Sequence, residues 1–267
     1  MKYFDYKKNR LVFDEQKATP DFWDNLWKDN DLKKYIESHR NDWFVSRTTK
    51  KFITPNQDNK ILEGGCGKGQ YVYSLDTAGY SAYGIDFASK TVAEVNRLFP
   101  SLKVSFGNIE KLEFPDKFFS GYWSLGVIEH FYDGYDKIAQ EIKRVLRPGG
   151  YLFLTFPCLS RLRKLKARLK KYPAFNDNNF NIENFYQFAL DPELVQKDFE
   201  KLGFELIKKQ PLDGIKGLKD EVSFLKHPLQ KMYDSKLFPI KIICFSISKL
   251  ISPFCNHSIL LIFKKND

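Results

Sequence analysis

From residue 60 to residue 156, short apolar runs alternate with stretches of helical periodicity. KILEG (60–64), SAYGID (81–86), KVSF (103–106), FSGYWSL (119–125) and YLFLTF (151–156) read as strands. Between them, 70–78 reads as a helix closed by Gly79, and Ser89 is placed to cap a helix that Pro100 stops at Phe99. Residues 134–146 carry Ile138, Ile142, Val145 and Leu146 at helical spacing before Arg147-Pro148-Gly149-Gly150 breaks the pattern. Strands joined by helices of about ten residues pair in parallel, because a parallel pair needs a crossover of that length. The expected fold class is therefore α/β: a Rossmann-like doubly wound sheet, mostly parallel, with helices on both faces. Ligands on such sheets bind at the carboxyl ends of the strands, near the switch in strand order.

The pattern continues beyond residue 190. Asp191-Pro192-Glu193 starts a helix with a cap, a proline at the first position and an acid in the first turn, and Gly203 closes it. FELIKK (204–209) and SILLIFKK (258–265) read as two further strands, the last expected to be antiparallel. Residues 157–190 and 211–257 read as insertions over the ligand face, and 1–57 as a polar, aromatic, helical cover preceding the sheet.

Composition bounds the function classes. The chain has 267 residues, 43% apolar and 28% charged, which suits one large globular domain. Cys66, Cys158, Cys244 and Cys255 form no CxxC pair or His/Cys cluster, so neither a metal site nor a disulfide framework is expected, and a cytoplasmic setting follows. The N-terminus shows no secretory pattern. The uncharged run Leu250 to Phe263 contains a proline, an asparagine and a histidine, and falls short of the ~20 residues a spanning helix needs. The net charge is +10, and seven basic residues with no acid fall within 160–172. Leucines at 159, 162, 165 and 169 recur on that stretch. Such a helix is either a lid with a solvated cationic face or a contact for an anionic membrane or acidic partner. IKIICFSISKLI (240–251), apolar with spaced lysines, adds to the membrane reading and to a peripheral location at its inner face. Nucleic acid is disfavoured, since no RNA module is present and the basic stretch lacks interleaved aromatics. The oligomeric state is left open.

Glu63-Gly64-Gly65-Cys66-Gly67-Lys68-Gly69 follows a strand and opens a helix. Glycines there let a ligand approach the backbone. The spacing is GxGxG, whereas a pyrophosphate loop wants GxGxxG. Glu63 would repel a pyrophosphate and suits a cationic ligand. Asp86 ends the second strand, where a carboxylate can accept the hydroxyls of a ribose or serve as a turn residue.

These residues resemble the class I S-adenosylmethionine-dependent methyltransferases, in particular the type 11 branch. ILEGGCGKG (61–69) is similar to the family's (D/E)xGxGxG motif, and YGIDFA (83–88) to its second motif. GNIEKLEF (107–114), SLGVIEHF (124–131) and LRPGG (146–150) follow in the family's order, so the resemblance covers about residues 60–156. It implies a methyltransferase domain over 58–267, S-adenosyl-L-methionine as cofactor and S-adenosyl-L-homocysteine as product. It also implies cofactor contacts. Glu63 opens the loop, and the Gly65, Cys66 and Gly67 backbone faces the methionine part. Asp86 holds the ribose, Phe87 packs on the adenine, and Asn108 and Ile109 frame its edge. Leu125 sits beside the sulfonium. Asn108 departs from the aspartate usual in the family. Phe22 to Trp27 resembles the family's closing helix, with Trp23 and Trp27 on one face as cofactor contacts or as core.

For the chemistry, His130 is the candidate general base and Glu129 the group that orients the acceptor. A packing role for His130 is the alternative. The expected reaction is O- or N-methylation of a small-molecule acceptor or one linked to a lipid or saccharide. An NAD(P)-dependent oxidoreductase and a catalytically silent cofactor-binding partner protein are the competing readings.

Overall fold

The structure is a computed structural model that describes residues 1–28, 31–235 and 237–267. Two strands, β1 (Lys2–Asp5) and β2 (Arg10–Asp14), open the chain and pair antiparallel. Helices α1 (Pro20–Leu26), α2 (Leu32–Ser38) and α3 (Val45–Thr49) follow. The helical reading of 1–57 thus holds only after the hairpin. Tertiary pairing decides the first fourteen residues: Leu11, Val12 and Phe13 are buried, and β2 also pairs with a later strand from the first insertion.

The expected α/β alternation comes next: β3 (Lys60–Gly64), α4 (Gln70–Thr77), β4 (Ser81–Asp86), α5 (Ser89–Leu98), β5 (Lys103–Phe106), β6 (Phe119–Leu125), α6 (Asp136–Val145) and β7 (Leu146–Pro157). Two local expectations fail. Ser89 does not cap α5; Ala88 occupies that position, and the Lys90 and Thr91 N–H groups donate to the Asp24 carboxylate of α1 instead. An acid on a neighbouring helix does what a local cap would have done. Helix α6 does end before Arg147–Gly150, as expected, but β7 begins at Leu146 and not at Tyr151, so that segment is itself strand. It forms an irregularity within β7, which pairs with β6 on both sides of it.

The remaining elements are α7 (Arg161–Arg168), β8 (Phe185–Ala189), α8 (Pro192–Lys201), β9 (Phe204–Leu212), α9 (Gly214–Glu221), α10 (Lys226–Tyr233), α11 (Phe238–Cys255) and β10 (Ser258–Lys265). The central sheet has the order β5-β4-β3-β6-β7-β10-β9, and β10 alone runs against its neighbours. A small sheet, β1-β2-β8, stands apart from it. The uncharged run 250–263 is two elements, the end of α11 and most of β10.

Alternate residues along each central strand enter opposite layers. Leu62, Tyr122, Leu152 and Leu154 pack with Ile138 and Ile142 of α6 and with Phe199 of α8. Ile61, Trp123 and Phe153 pack with Val72 of α4 and with Val92 and Val95 of α5. With both faces covered, the sheet can run as nearly continuous apolar strands. Strand order reverses at β3, whose neighbours are β4 and β6. The crevice above the carboxyl ends of β3 and β6 is therefore where the topology directs a ligand.

The basic segment is turned inside out relative to its leucine stripe. On α7 it is Arg163 and Ala167 that are buried, while Leu165 and Leu169 are exposed. Arg163 is 0% exposed and donates to Glu221 (3.0 Å) and to the Cys158 carbonyl (2.8 Å). Lys166 reaches the same carboxylate at 2.7 Å, Lys2 at 2.8 Å, and Lys164 pairs with Asp191 at 2.8 Å. Three of the seven basic residues are thus spent on internal acids. The carboxylates, not the leucines, set the rotation of the helix, because an unpaired buried guanidinium is far costlier than an exposed leucine.

Candidate active site

The glycine loop lies at the switch point. Gly65 and Cys66 donate their N–H groups to the Ile85 carbonyl (2.8 and 3.0 Å), which ties the loop to β4. The Gly67 N–H donates to one oxygen of Asp86 (2.8 Å), and the Ala88 N–H to the other (2.9 Å). Asp86 is therefore an organiser of the loop as well as the acid at the end of β4. Burial raises its pKa, and the N–H groups of Ala88, Gly67 and Phe87 oppose that rise. At Gly64 a Cβ would fall 1.9 Å from the Tyr122 hydroxyl, so only glycine fits. At Gly67, φ is +50°, and the indole of Trp27 lies 3.1 Å from where a Cβ would stand. The Cys66 thiol faces inward against Gly84, and burial holds its pKa well above the ordinary value. Only the backbone of Cys66 is offered to a ligand.

Glu63 is buried, and its Oε2 has no hydrogen-bond partner among the described residues. Burial, and then the charge of Asp86, push its pKa well above the carboxylate range. An orphaned buried oxygen is costly, and a cationic ligand group would relieve that cost. The loop, the orphaned acid and an aromatic cover together fit a cationic nucleoside better than a diphosphate.

A cavity of about 920 Å³ opens beside the loop, past the end of β6. Leu125, Gly126, Glu129 and His130 line one side. Glu63, Asp86 and the glycine loop do not line it. Trp27 covers Gly67, Trp23 stacks on Trp27 with ring centroids 5.0 Å apart, and Trp23 lines the cavity. The tryptophan pair thus joins loop and cavity, and seating a nucleoside against Gly67 requires the Trp27 ring to move off it.

The Ile128–His130 segment is a single 3₁₀ turn. Glu129 is buried, its Oε2 has no hydrogen-bond partner among the described residues, and burial pushes its carboxyl up to about 8. His130 Nδ1 lies 2.8 Å from the Tyr186 carbonyl, which assigns the proton to Nδ1 and leaves Nε2 as the acceptor nitrogen. Burial lowers its pKa to about 4, against the opposing effect of the hydrogen bond that Nδ1 donates to the Tyr186 carbonyl, so the ring is neutral at pH 7. Trp23 and Tyr186 pack edge-on against the ring.

The expected adenine contacts sit at the ends of β4 and β5. Phe87 is exposed, Ile109 is buried, and the Asn108 side-chain oxygen accepts the Glu110 N–H (2.9 Å) in a turn. Asn108 is itself exposed. Sequence reasoning missed the far wall of the cavity, where Lys216, Lys219, Ser223, Lys226 and His257 lie, together with Tyr186 from β8. No local motif marks these residues; they meet the site only through the two insertions. Among the described residues, no group of three or more His, Cys, Asp or Glu side chains could hold a metal.

Residues 62–154 match the family model described as a methyltransferase domain. A Mycolicibacterium smegmatis protein named "Probable S-adenosylmethionine-dependent methyltransferase" is 33% identical over 97 residues, covering 36% of this chain and 37% of that one. A fatty-acid O-methyltransferase from the same organism is 33% identical over 103 residues, covering 37% of each. The chain thus spans little more than a third of the length of these two relatives. A crystal structure of a SAM-dependent methyltransferase from Archaeoglobus fulgidus aligns with a TM-score of 0.54 at 18% identity, covering 87% of this chain and 99% of that one, a likeness of fold. Residues 62–154, framed by the strand order described above, are thus similar to the methyltransferase domain of the class I S-adenosylmethionine-dependent methyltransferases, type 11-like branch.

Proposed function

We propose that this chain moves the methyl group of S-adenosylmethionine to an oxygen or nitrogen of an amphiphilic acceptor, small or linked to a lipid or saccharide, with S-adenosylhomocysteine as product. The observation that carries the reading is the pair of buried carboxyls, Glu63 at the carboxyl end of β3 and Glu129 in the turn past β6, each with an oxygen that no group among the described residues satisfies. The cofactor supplies an electrophilic methyl on a positive sulfur. The Gly65, Cys66 and Gly67 backbone would hold its methionine part. Asp86, Phe87, Asn108 and Ile109 would frame its nucleoside, and Leu125 would lie beside the sulfonium. Glu63 and Glu129 would balance positive charge. Trp27 would close over the ligand and exclude water, and alignment of this kind supplies up to about 7–11 kcal/mol of a displacement barrier. His130 Nε2 would take the acceptor's proton. The cavity supports an amphiphilic acceptor: Phe13, Phe44 and Phe156 line it together with four lysines, Lys2, Lys216, Lys219 and Lys226. The fatty-acid O-methyltransferase is a relative with an acceptor of that kind.

Calorimetry with S-adenosylmethionine, S-adenosylhomocysteine and NADH tests the cofactor assignment. The first two are expected to bind; binding of NADH alone would replace this reading with the oxidoreductase. A screen of lipid, saccharide and small-molecule acceptors with radiolabelled cofactor tests transfer. Binding without transfer to any of them would favour the silent partner protein.

Two further outcomes follow from the titrating groups. Glu129 is uncharged below about pH 8 in the free protein and charged above it. A cation prefers the charged form, so affinity for S-adenosylmethionine is expected to rise as pH increases toward 8. Glu129→Gln should flatten that rise; a slope unchanged in the variant would remove Glu129 from the site. For His130→Ala, kcat is expected to fall roughly a hundredfold, the scale of general-base assistance. Because its pKa is near 4, the wild-type rate should show no inflection at the ordinary histidine value of about 6.5. Normal turnover in the variant would exclude the base role.

A further inference from the structure

Helix α11 is built inside out. Its inward side is small and polar: the Ser252 hydroxyl oxygen accepts the Gly214 N–H (3.0 Å), and the Ser248 oxygen accepts the Ile215 N–H (3.4 Å). The backbones of α9 and α11 nearly touch, since a Cβ on Gly217 would fall 1.7 Å from the Cys255 carbonyl oxygen. The outward side carries Phe238 (74% exposed), Ile242, Ile243, Phe245, Leu250 (80% exposed) and Phe254. A helix facing water places polar residues outward. Here Ser246, Lys241 and Lys249 are the polar exceptions on an apolar arc, and Phe224 and Leu237 extend it. Exposed apolar surface of this extent marks an interaction face.

We propose that this face docks α11 in the interfacial plane of an anionic lipid bilayer. Charge identifies the occupant. Residues 235–257 contain no acid, while Lys241 and Lys249 flank the apolar arc. Exposed Lys226 and Lys231 stand on α10, and exposed Arg168, Lys170 and Lys171 follow α7, which packs against α11 beside Leu165 and Leu169. Among the described residues, no internal acid pairs with any of these basic side chains. An apolar face ringed by lysine and arginine matches the acyl boundary and anionic headgroups of a leaflet. By length and composition α11 could cross a membrane. Its connections keep it on the surface instead: α10, before it, packs on α9 and α11, and β10, after it, lies inside the central sheet. Both ends therefore belong to one side of a bilayer. The docked face adjoins the cavity wall formed by Ser223 and Lys226. Delivery of an acceptor from the bilayer would rest on the methyltransferase reading; the docking itself does not.

The test is flotation of the full chain, without cofactor, on phosphatidylcholine vesicles and on vesicles of equal parts phosphatidylcholine and phosphatidylglycerol. Flotation with the anionic vesicles, weakened by added salt, is expected. The double variant Ile243→Asp, Leu250→Asp is expected to lose roughly tenfold or more in partitioning. Lys241→Glu with Lys249→Glu should lose a similar factor on anionic vesicles only. The four side chains are exposed, so melting temperatures should stay near wild type. If the apolar pair proves destabilising, the lysine pair carries the test. Failure to float with either vesicle, or equal flotation by both variants, would overturn the proposal. So would a dimer in sedimentation velocity that Leu250→Asp abolishes while vesicles bind nothing.

Discussion

Glu221→Ala is expected to cost about 3–5 kcal/mol of unfolding free energy, the scale for breaking a buried pair by removing one partner. Glu221 receives Arg163, Lys166, Lys2 and the Tyr172 hydroxyl. It therefore clamps β1, α7, the segment after α7, and α9 to one another. Without it, Arg163 stays fully buried with its charge uncompensated, although the Cys158 and His257 carbonyls still accept from it. The melting temperature should fall by about ten degrees or more. Glu221→Gln, which keeps an acceptor, should recover part of the loss. A change below roughly 1 kcal/mol, the level of an exposed ion pair, would show that the clamp is not a structural centre. Burial alone would raise the Glu221 pKa, but the charges of Arg163 and Lys2 and the hydrogen bonds of Lys166 and Lys2 outweigh it and hold the pKa down to about 2. A depressed folded-state pKa gives stability that is complete above the unfolded value of about 4.3 and is lost as pH falls toward 2. Chemical denaturation across that window should show a loss of about 3 kcal/mol in wild type that is absent from the variant.

Asp86→Ala should weaken S-adenosylmethionine binding by roughly tenfold or more, the scale of one charge-assisted hydrogen bond. The geometry adds a second route to that loss. Both Asp86 oxygens hold backbone N–H groups, at Gly67 and Ala88. Removing them frees two buried donors and releases the loop conformation that Gly67 needs. The variant is therefore expected to melt earlier as well as to bind less. Titration calorimetry at matched temperature separates the two effects. Unchanged affinity would remove Asp86 from the cofactor site.

The parts of this molecule legible in its sequence are those encoded locally. Strands at 60–64, 81–86, 103–106 and 119–125 and the helix after the glycine loop follow from apolar runs, glycines and prolines within a few residues of each other. The loop, Asp86, Glu129 and His130 could be singled out as candidates for the same reason. What stayed hidden depends on distant partners. The β1-β2-β8 sheet joins residue 12 to residue 188. The rotation of α7 is set by Glu221, 58 residues beyond Arg163. The cap of α5 comes from Asp24, 67 residues before Thr91. Likewise, the lysine wall of the cavity belongs to α9 and the start of α10, where spacing carries no signature of a site. The pKa displacements of Glu129 and His130 were equally invisible, since burial and not residue type produces them.

Strand β9 reaches the central sheet only through β10, because β10 lies between β7 and β9. During synthesis, everything from β9 to the end of α11 emerges before the strand that anchors it. The ribosome therefore presents the phenylalanines and isoleucines of α11 while the sheet still lacks its antiparallel member. Closure must await pairing over about a hundred intervening residues, from Tyr151 to Lys264, and non-local pairing of that kind is slow. Refolding from denaturant should accordingly show a late phase in which β9 and β10 gain amide protection together, and detergent micelles should reduce aggregation most during that phase.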